Sequence, residues 1–191
     1  MKSILVACSM KKEANALEKH FGNEIRVVAT GIGIKRTVPK LLQIFRKSRP
    51  KLLIFTGSVS QIDLKLKRGD VVYTREWCFE NGHCTSCDSW VLERLNFSTC
   101  SIIKRGISLN RPVLKASERV RLFKSTGAAV YDSATAAVLR TAQSEGIACL
   151  TPKIIAHTVG SGLTSFWVDV DQNMKPLANN LSDLLKVVEN N

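Results

Sequence analysis

The chain has 191 residues, of which 45% are hydrophobic and 23% charged, with 11 glycines and 5 prolines; this is the composition of a globular domain with a core of its own and excludes disordered and fibrous classes. Its 28 Lys and Arg against 16 Asp and Glu give a formal net charge of +12. The basic residues are spread along the chain, at Lys11–Lys12, Lys35–Arg36, 45–51, 65–68 and 104–105, with no aromatic RNA-binding motif, finger or long basic arm, so a specific nucleic-acid partner is not expected, and a generally basic proteome or a weak preference for anionic surfaces such as membranes is the plain reading.

The first apolar run, "ILVAC", is five residues long and is followed at once by "SMKKE", too short for a secretory core of roughly 7–15 apolar residues. No run approaches the roughly 18–20 residues of a membrane span. A cytoplasmic protein forming a single domain over 1–191 is therefore expected.

Residues 3–8 read as a buried strand, and 11–20 as an amphipathic helix with Ala14, Leu17 and Phe21 at helical spacing, ended by Gly22. "EIRVVAT" reads as a second strand, broken by "GIG", and 37–47 as a helix carrying Val38, Leu41, Leu42 and Phe45. "KLLIFTG" and "GDVVYT" read as strands three and four, and residues 76–100 as irregular. "SERVRLFKSTG" reads as a helix opened by Ser117 as N-cap and closed at Gly127. "AAVYD" is a strand, 134–145 a helix of small residues, "IACLTPKIIAHT" one long strand, and 176–189 a final helix with Pro176 in its first turn.

Continuous apolar strands alternating with helices predict an α/β sheet covered on both faces, where ligands bind beyond the carboxyl ends of the strands. The positions that matter are then those just after each strand: 9–13, 31–33, 57–60, 132–133 and 157.

Six cysteines in such a chain are expected to be reduced thiols, with Cys8 and Cys149 in the core. Cys78, His83, Cys84 and Cys87 in "WCFENGHCTSCDSW" are the only metal-like group. One CxxC without a second knuckle is a weak zinc signal, so no metal is expected, with these four as the residues that would hold one. A redox pair between Cys84 and Cys87 is the other reading.

"ILVACSMKKEANAL", "ATGIGIKRT", "FTGSVSQIDLKLKRGDVV" and "GAAVYDSATAAVLRTAQSEGIACLTPKIIAHT" occur in this order. Together they resemble the purine nucleoside phosphorylase and methylthioadenosine/S-adenosylhomocysteine nucleosidase superfamily. "ISLNRPVLKASERVRLFKSTGAAV" looks most like its short hopanoid-associated phosphorylase branch. The resemblance implies a three-layer α/β/α fold with a mixed, mostly parallel central sheet, and a homo-oligomer, dimeric or hexameric. It implies cleavage of the N-glycosidic bond of a purine nucleoside, modified and apolar-substituted ones included. Water or phosphate is the nucleophile, and no cofactor is needed beyond phosphate as a co-substrate.

Residue by residue, the resemblance makes Glu13 the base that deprotonates an attacking water, with a solvated helix residue as the plain alternative. It makes Gly31 and Gly33 a tight turn near the sugar or an anion, and Gly57, Ser58 and Val59 the segment whose main chain and hydroxyl line the pocket. Two departures stand out. The family glutamate that grips the ribose falls on Ala134, leaving Asp132 and Ser133 as substitutes. The family acid that protonates the purine falls at or beside His157, where an imidazolium could donate instead or the ring could be structural. A catalytically impaired nucleoside-binding protein is therefore the alternative function. Lys35, Arg36, Arg105 and Arg111 are candidates for phosphate, and Trp77, Phe79 and Trp90 for stacking on a base.

Overall fold

A computed structural model describes residues 4–88, 100–161 and 168–189; Trp90 lies outside them. The sheet is organised by strand β3 (Leu52–Gln61). Over its first half, β3 runs parallel to β1 (Ile4–Cys8), with Leu52 opposite Ile4 and Thr56 opposite Cys8. On its other side it runs parallel to β8 (Ala148–Leu150). From Gly57 onward its partners change. β9 (Pro152–His157) continues parallel where β8 stops, in the same register, and β7 (Val130–Asp132) joins antiparallel at Ser60 and Gln61.

Strand β9 also pairs antiparallel with β4 (Val71–Phe79), β4 runs parallel to β6 (Ser101–Ser108), and β6 parallel to β7. β3, β9, β4, β6 and β7 thus close a ring of pairings. β2 (Arg26–Ala29) lies outside β1, and β5 (Cys84–Ser86) forms a hairpin on β4.

The alternation of side chains along each strand feeds two cores. Ile4, Val6 and Cys8, with Leu52 and Ile54, face helices α1 (Lys11–Phe21) and α5 (Val170–Glu189), which contribute Leu17, Phe21, Leu177, Leu181 and Leu184. Leu5 and Ala7, with Leu53 and Phe55, face α2 (Ile34–Lys47) and α4 (Thr135–Ser144), which contribute Leu41, Phe45, Val138 and Leu139. Strands buried on both faces need the continuous apolar runs the sequence shows. Each fully buried Leu or Phe stabilises the layers by about 1.5–3 kcal/mol. The result is the expected three-layer α/β/α arrangement with a mixed, mostly parallel sheet.

Helix α3 (Ala116–Thr126) is different: its one buried side chain is Arg119. That guanidinium donates to the carbonyls of Val113 at 3.0 Å, Gln61 at 2.8 Å and His157 at 3.3 Å. It ties the segment after β6 to the ends of β3 and β9.

Several boundaries differ from the sequence expectation. "IACLTPKIIAHT" is two strands broken at Thr151, whose hydroxyl accepts the indole N–H of Trp77 at 3.0 Å and pairs with the Thr74 hydroxyl at 3.0 Å. β4 runs on to Phe79, and β5 lies in a stretch read as irregular. Lys115 caps α3, so Ser117 sits in its first turn, and α5 starts at Val170 with Pro176 inside it. The expectation of reduced thiols is corrected at one pair: the β4–β5 register sets Cys78 opposite Cys84, and the two form a disulfide.

The ring closes tightly at Trp77. Its neighbour across the β4–β6 ladder is Gly106, where a Cβ would lie 2.7 Å from the indole ring. Gly106→Ala therefore overpacks the core and is expected to cost about 1–3 kcal/mol, read as a lower urea midpoint. An unchanged midpoint would mean that the indole does not lie over this glycine.

Candidate active site

The switch of partners along β3 leaves a gap. On the side shared by β1 and β7, β1 pairs as far as Thr56 and β7 begins at Ser60. Between them the backbone at 57–59 has no strand neighbour on that side, and its buried amide needs another acceptor. Glu13 supplies it. The chain turns from the end of β1 through Ser9 and Met10 into α1, which puts Glu13 in the first turn of that helix. Its Oε1 accepts the amide of Ser58 at 2.7 Å and its Oε2 the amide of Met10 at 3.3 Å.

The close approach explains Gly57. Its φ is +125°, and a Cβ there would lie 2.7 Å from the Glu13 carboxylate. Only glycine both adopts that backbone conformation and leaves the room. Sequence reasoning anticipated close approach to this main chain by a ligand; the group found against it is a carboxylate of the protein itself.

Glu13 is 1% exposed. Burial raises its carboxyl above the ordinary range, while the hydrogen bonds from Ser58 and Met10 and the charge of Lys153 oppose the rise. Glu13, Ser58 and His157 line one cavity of about 280 Å³, together with Met10, Ile32, Val59, Ser60, Leu109, Arg111, Tyr131, Asp132, Ser133 and Lys153, among others. Segments far apart in sequence thus meet at the strand ends. Gly31 and Gly33 turn the chain from β2 into α2 and are not on the cavity wall, to which that segment contributes Ile32.

Asp132 is held firmly. Its Oδ1 accepts the Ser108 hydroxyl at 2.9 Å and the amides of Ala134 and Thr135 at 3.1 Å. Its Oδ2 accepts the Thr135 hydroxyl and lies 3.6 Å from Nζ of Lys153. The carboxylate caps α4 and has little capacity left for sugar hydroxyls. His157 is partly buried, and desolvation, then Arg119 and Arg68, push its imidazole below the ordinary value. At neutral pH the ring is therefore neutral, which does not favour the imidazolium role drawn from the sequence.

Lys153 went unnoticed in the sequence. It is 2% exposed, sits opposite Gly57 in the β3–β9 ladder, and stacks its ammonium 4.1 Å from the centre of the Phe55 ring. The signal was there: a lysine inside the apolar strand "PKIIAH" has to end against a partner.

Of the other candidates, Arg111 alone reaches the cavity. Lys35 and Arg36 are exposed. Arg105 is bound to Glu76 at 2.7 Å and to the Thr126 carbonyl at 2.6 Å. Arg111 lines the cavity but pairs with Glu118 at 2.5 Å. Trp77 is buried under Thr151, and Phe79 packs on the core behind it. The four metal candidates do not converge: Cys78 and Cys84 are bonded to each other, Cys87 is buried 3.2 Å from the Thr151 hydroxyl, and His83 is exposed. Among the described residues no group of three or more His, Cys, Asp or Glu side chains could hold a metal ion. No described helix is long and apolar enough to cross a membrane.

No family model and no curated protein matches this sequence. Solved structures do. The chain is similar to a futalosine hydrolase mutant of Helicobacter pylori strain 26695, with a TM-score of 0.83 at 14% identity over 96% of this chain and 98% of that one. It is similar to the 5'-methylthioadenosine/S-adenosylhomocysteine nucleosidase of Campylobacter jejuni, with a TM-score of 0.82 at 13% identity over 99% of both chains. A mutant of the Helicobacter pylori nucleosidase with 5'-methylthioadenosine in its active site aligns with a TM-score of 0.83 at 14% identity, over 96% of this chain and 98% of that one. The architecture is thus the nucleoside phosphorylase-like α/β fold of these nucleosidases, over nearly the whole chain.

Proposed function

We propose that this protein is a nucleosidase, cleaving the N-glycosidic bond of a purine nucleoside with water. The observation that carries the reading is the buried Glu13 carboxylate, fixed on the Ser58 amide at the wall of a cavity at the strand ends, in a fold shared with enzymes named for that reaction. A base with its affinity for protons raised by burial is suited to take a proton from water near neutral pH. Phosphate is disfavoured as nucleophile, because the amides that would cradle an anion already hold one. Val59, Leu109 and Tyr131 suit a flat base and an apolar substituent, and Ser60 and Ser133 offer hydroxyls to the sugar, the Ser58 hydroxyl being turned to Glu13. A neutral His157 serves as a hydrogen-bond donor to the leaving base.

We further read the chain as a single domain that acts in the cytoplasm as a homo-oligomer, dimeric or hexameric. A hopanoid-linked nucleoside is the narrower substrate class suggested by the sequence resemblance. The net charge of +12 favours weak attraction to anionic membranes. The alternative, a nucleoside-binding protein without turnover, is favoured by one observation: the Asp132 carboxylate is committed to α4 and Lys153.

Incubation with a panel of purine nucleosides, with and without phosphate, is expected to release free base at a rate that phosphate does not change. Glu13→Gln is expected to slow release by about 10²–10⁴-fold. Binding without base from any member would decide for the alternative.

The His157 role separates in two variants. His157→Gln keeps a donor and is expected to retain more kcat/KM than His157→Ala; equal loss in both would restore the imidazolium.

Stability responds to pH with the opposite sign from activity. A carboxyl whose folded value lies above its unfolded one binds more protons folded than unfolded, so it stabilises at low pH and loses that contribution as pH rises through the folded value. Relative to Glu13→Gln, the natural protein should lose urea stability on going from the ordinary carboxylate range upward. A pH-independent difference would show that the hydrogen bonds and Lys153 cancel the effect of burial on Glu13.

A further inference from the structure

We propose that Lys153 is a positioning residue for this reaction, its ammonium being the counter-charge shared by Glu13 and Asp132 within the cavity. The catalytic role rests on the nucleosidase reading above, whereas the charge coupling does not. Three observations carry it. Lys153 is 2% exposed and has Nζ 3.6 Å from Oδ2 of Asp132. Its register partner in the parallel β3–β9 ladder is Gly57, the residue whose missing Cβ makes room for the Glu13 carboxylate. Neighbouring residues of a ladder project to the same face, so the lysine side chain rises beside the space Glu13 fills. Its ammonium rests 4.1 Å from the centre of the Phe55 ring, which steadies it without neutralising it.

The chemistry needs such an arrangement. Burial disfavours the charged form of Glu13, and an un-ionised Glu13 takes no proton from water. An ammonium paired with Asp132 and lying close enough to act on Glu13 opposes that effect. The three groups then sum to one negative charge, which suits a sugar that becomes cationic as the glycosidic bond breaks. Among the described residues, the remaining titratable groups around Glu13 or its cavity are Cys8 from β1, Tyr131 from β7, His157 from β9, and Arg111 from the segment after β6. The Arg111 charge is met by Glu118, burial pushes the Cys8 thiol up, and His157 is neutral, which leaves Lys153 as the cation facing Glu13.

The test follows the Glu13 carboxyl by infrared difference spectroscopy on protein carrying carboxyl-labelled glutamate, its band identified by loss in Glu13→Gln, alongside the pH dependence of kcat/KM. In Lys153→Met both the Glu13 titration and the acid limb of the rate profile are expected to move up by about one pH unit or more, and Lys153→Arg to return them. Lys153→Met alone leaves the half-buried Asp132 without its counter-charge and is prone to unfold. The same upward shift is therefore also expected between Asp132→Asn and the double variant Asp132→Asn, Lys153→Met, in which both charges are gone. No upward shift in either comparison would overturn the proposal. A shifted titration in a protein that releases base from no nucleoside would establish the coupling and sink the nucleosidase reading instead.

Discussion

The site exists because one strand changes neighbours. Along β3, β1 ends its pairing at Thr56 and β7 begins at Ser60, and a buried amide in the gap must find an acceptor. In a sheet that simply continued, that acceptor would be a carbonyl. Here it is the carboxylate of Glu13, delivered by the first turn of α1. The same contact sets the residue at 57, since any side chain there would displace the carboxylate. The partner change, the glycine, the helix start and the buried acid are one constraint seen from four positions.

A carboxylate placed this way has two competing consequences. Its hydrogen bonds from Ser58 and Met10 favour the charged form, and its burial disfavours it, with burial the larger effect. A group balanced like this contributes less to stability than an exposed glutamate would, and is of the kind suited to proton transfer. Asp132 is the contrast. It has five donors around it, two of them amides at the start of α4 and one the ammonium of Lys153, and that saturation makes it an anchor for β7 and α4. Two acids a few residues from strand ends thus take separate tasks through their surroundings alone.

Much of the architecture was readable because buried strands and amphipathic helices declare themselves locally. The strand ending at Cys8, the helix after it and the apolar stripe of α5 follow from periodicity. The importance of Gly57–Ser58 followed from its place just after an apolar strand and from the resemblance. What was not readable depends on pairing across the chain. Whether Gly57 faces a ligand or Glu13 is decided by where β1 stops. The break at Thr151 is decided by Trp77 and Thr74, which claim its hydroxyl from β4. The Cys78–Cys84 bond is decided by hairpin register, in a stretch whose sequence lacks a strong strand pattern. Lys153 was overlooked because a lysine in a strand is ordinary until the strand proves buried on both sides.

The cavity also constrains how a nucleoside could be held. Sugar hydroxyls are usually gripped by a carboxylate with free lone pairs, and Asp132 has few to spare. On the nucleosidase reading, the hydroxyls of Ser60 and Ser133 are weaker partners, so orientation would come more from the apolar walls than from the diol. That shifts selectivity from the sugar toward the base and its substituents: a hydrogen-bonded site rejects a substrate missing one hydroxyl strongly, whereas an apolar wall distinguishes a methylene by only about 1–3 kcal/mol. On the nucleosidase reading, a site with Val59, Leu109 and Tyr131 on its wall would tolerate change at the ribose and read shape at the base.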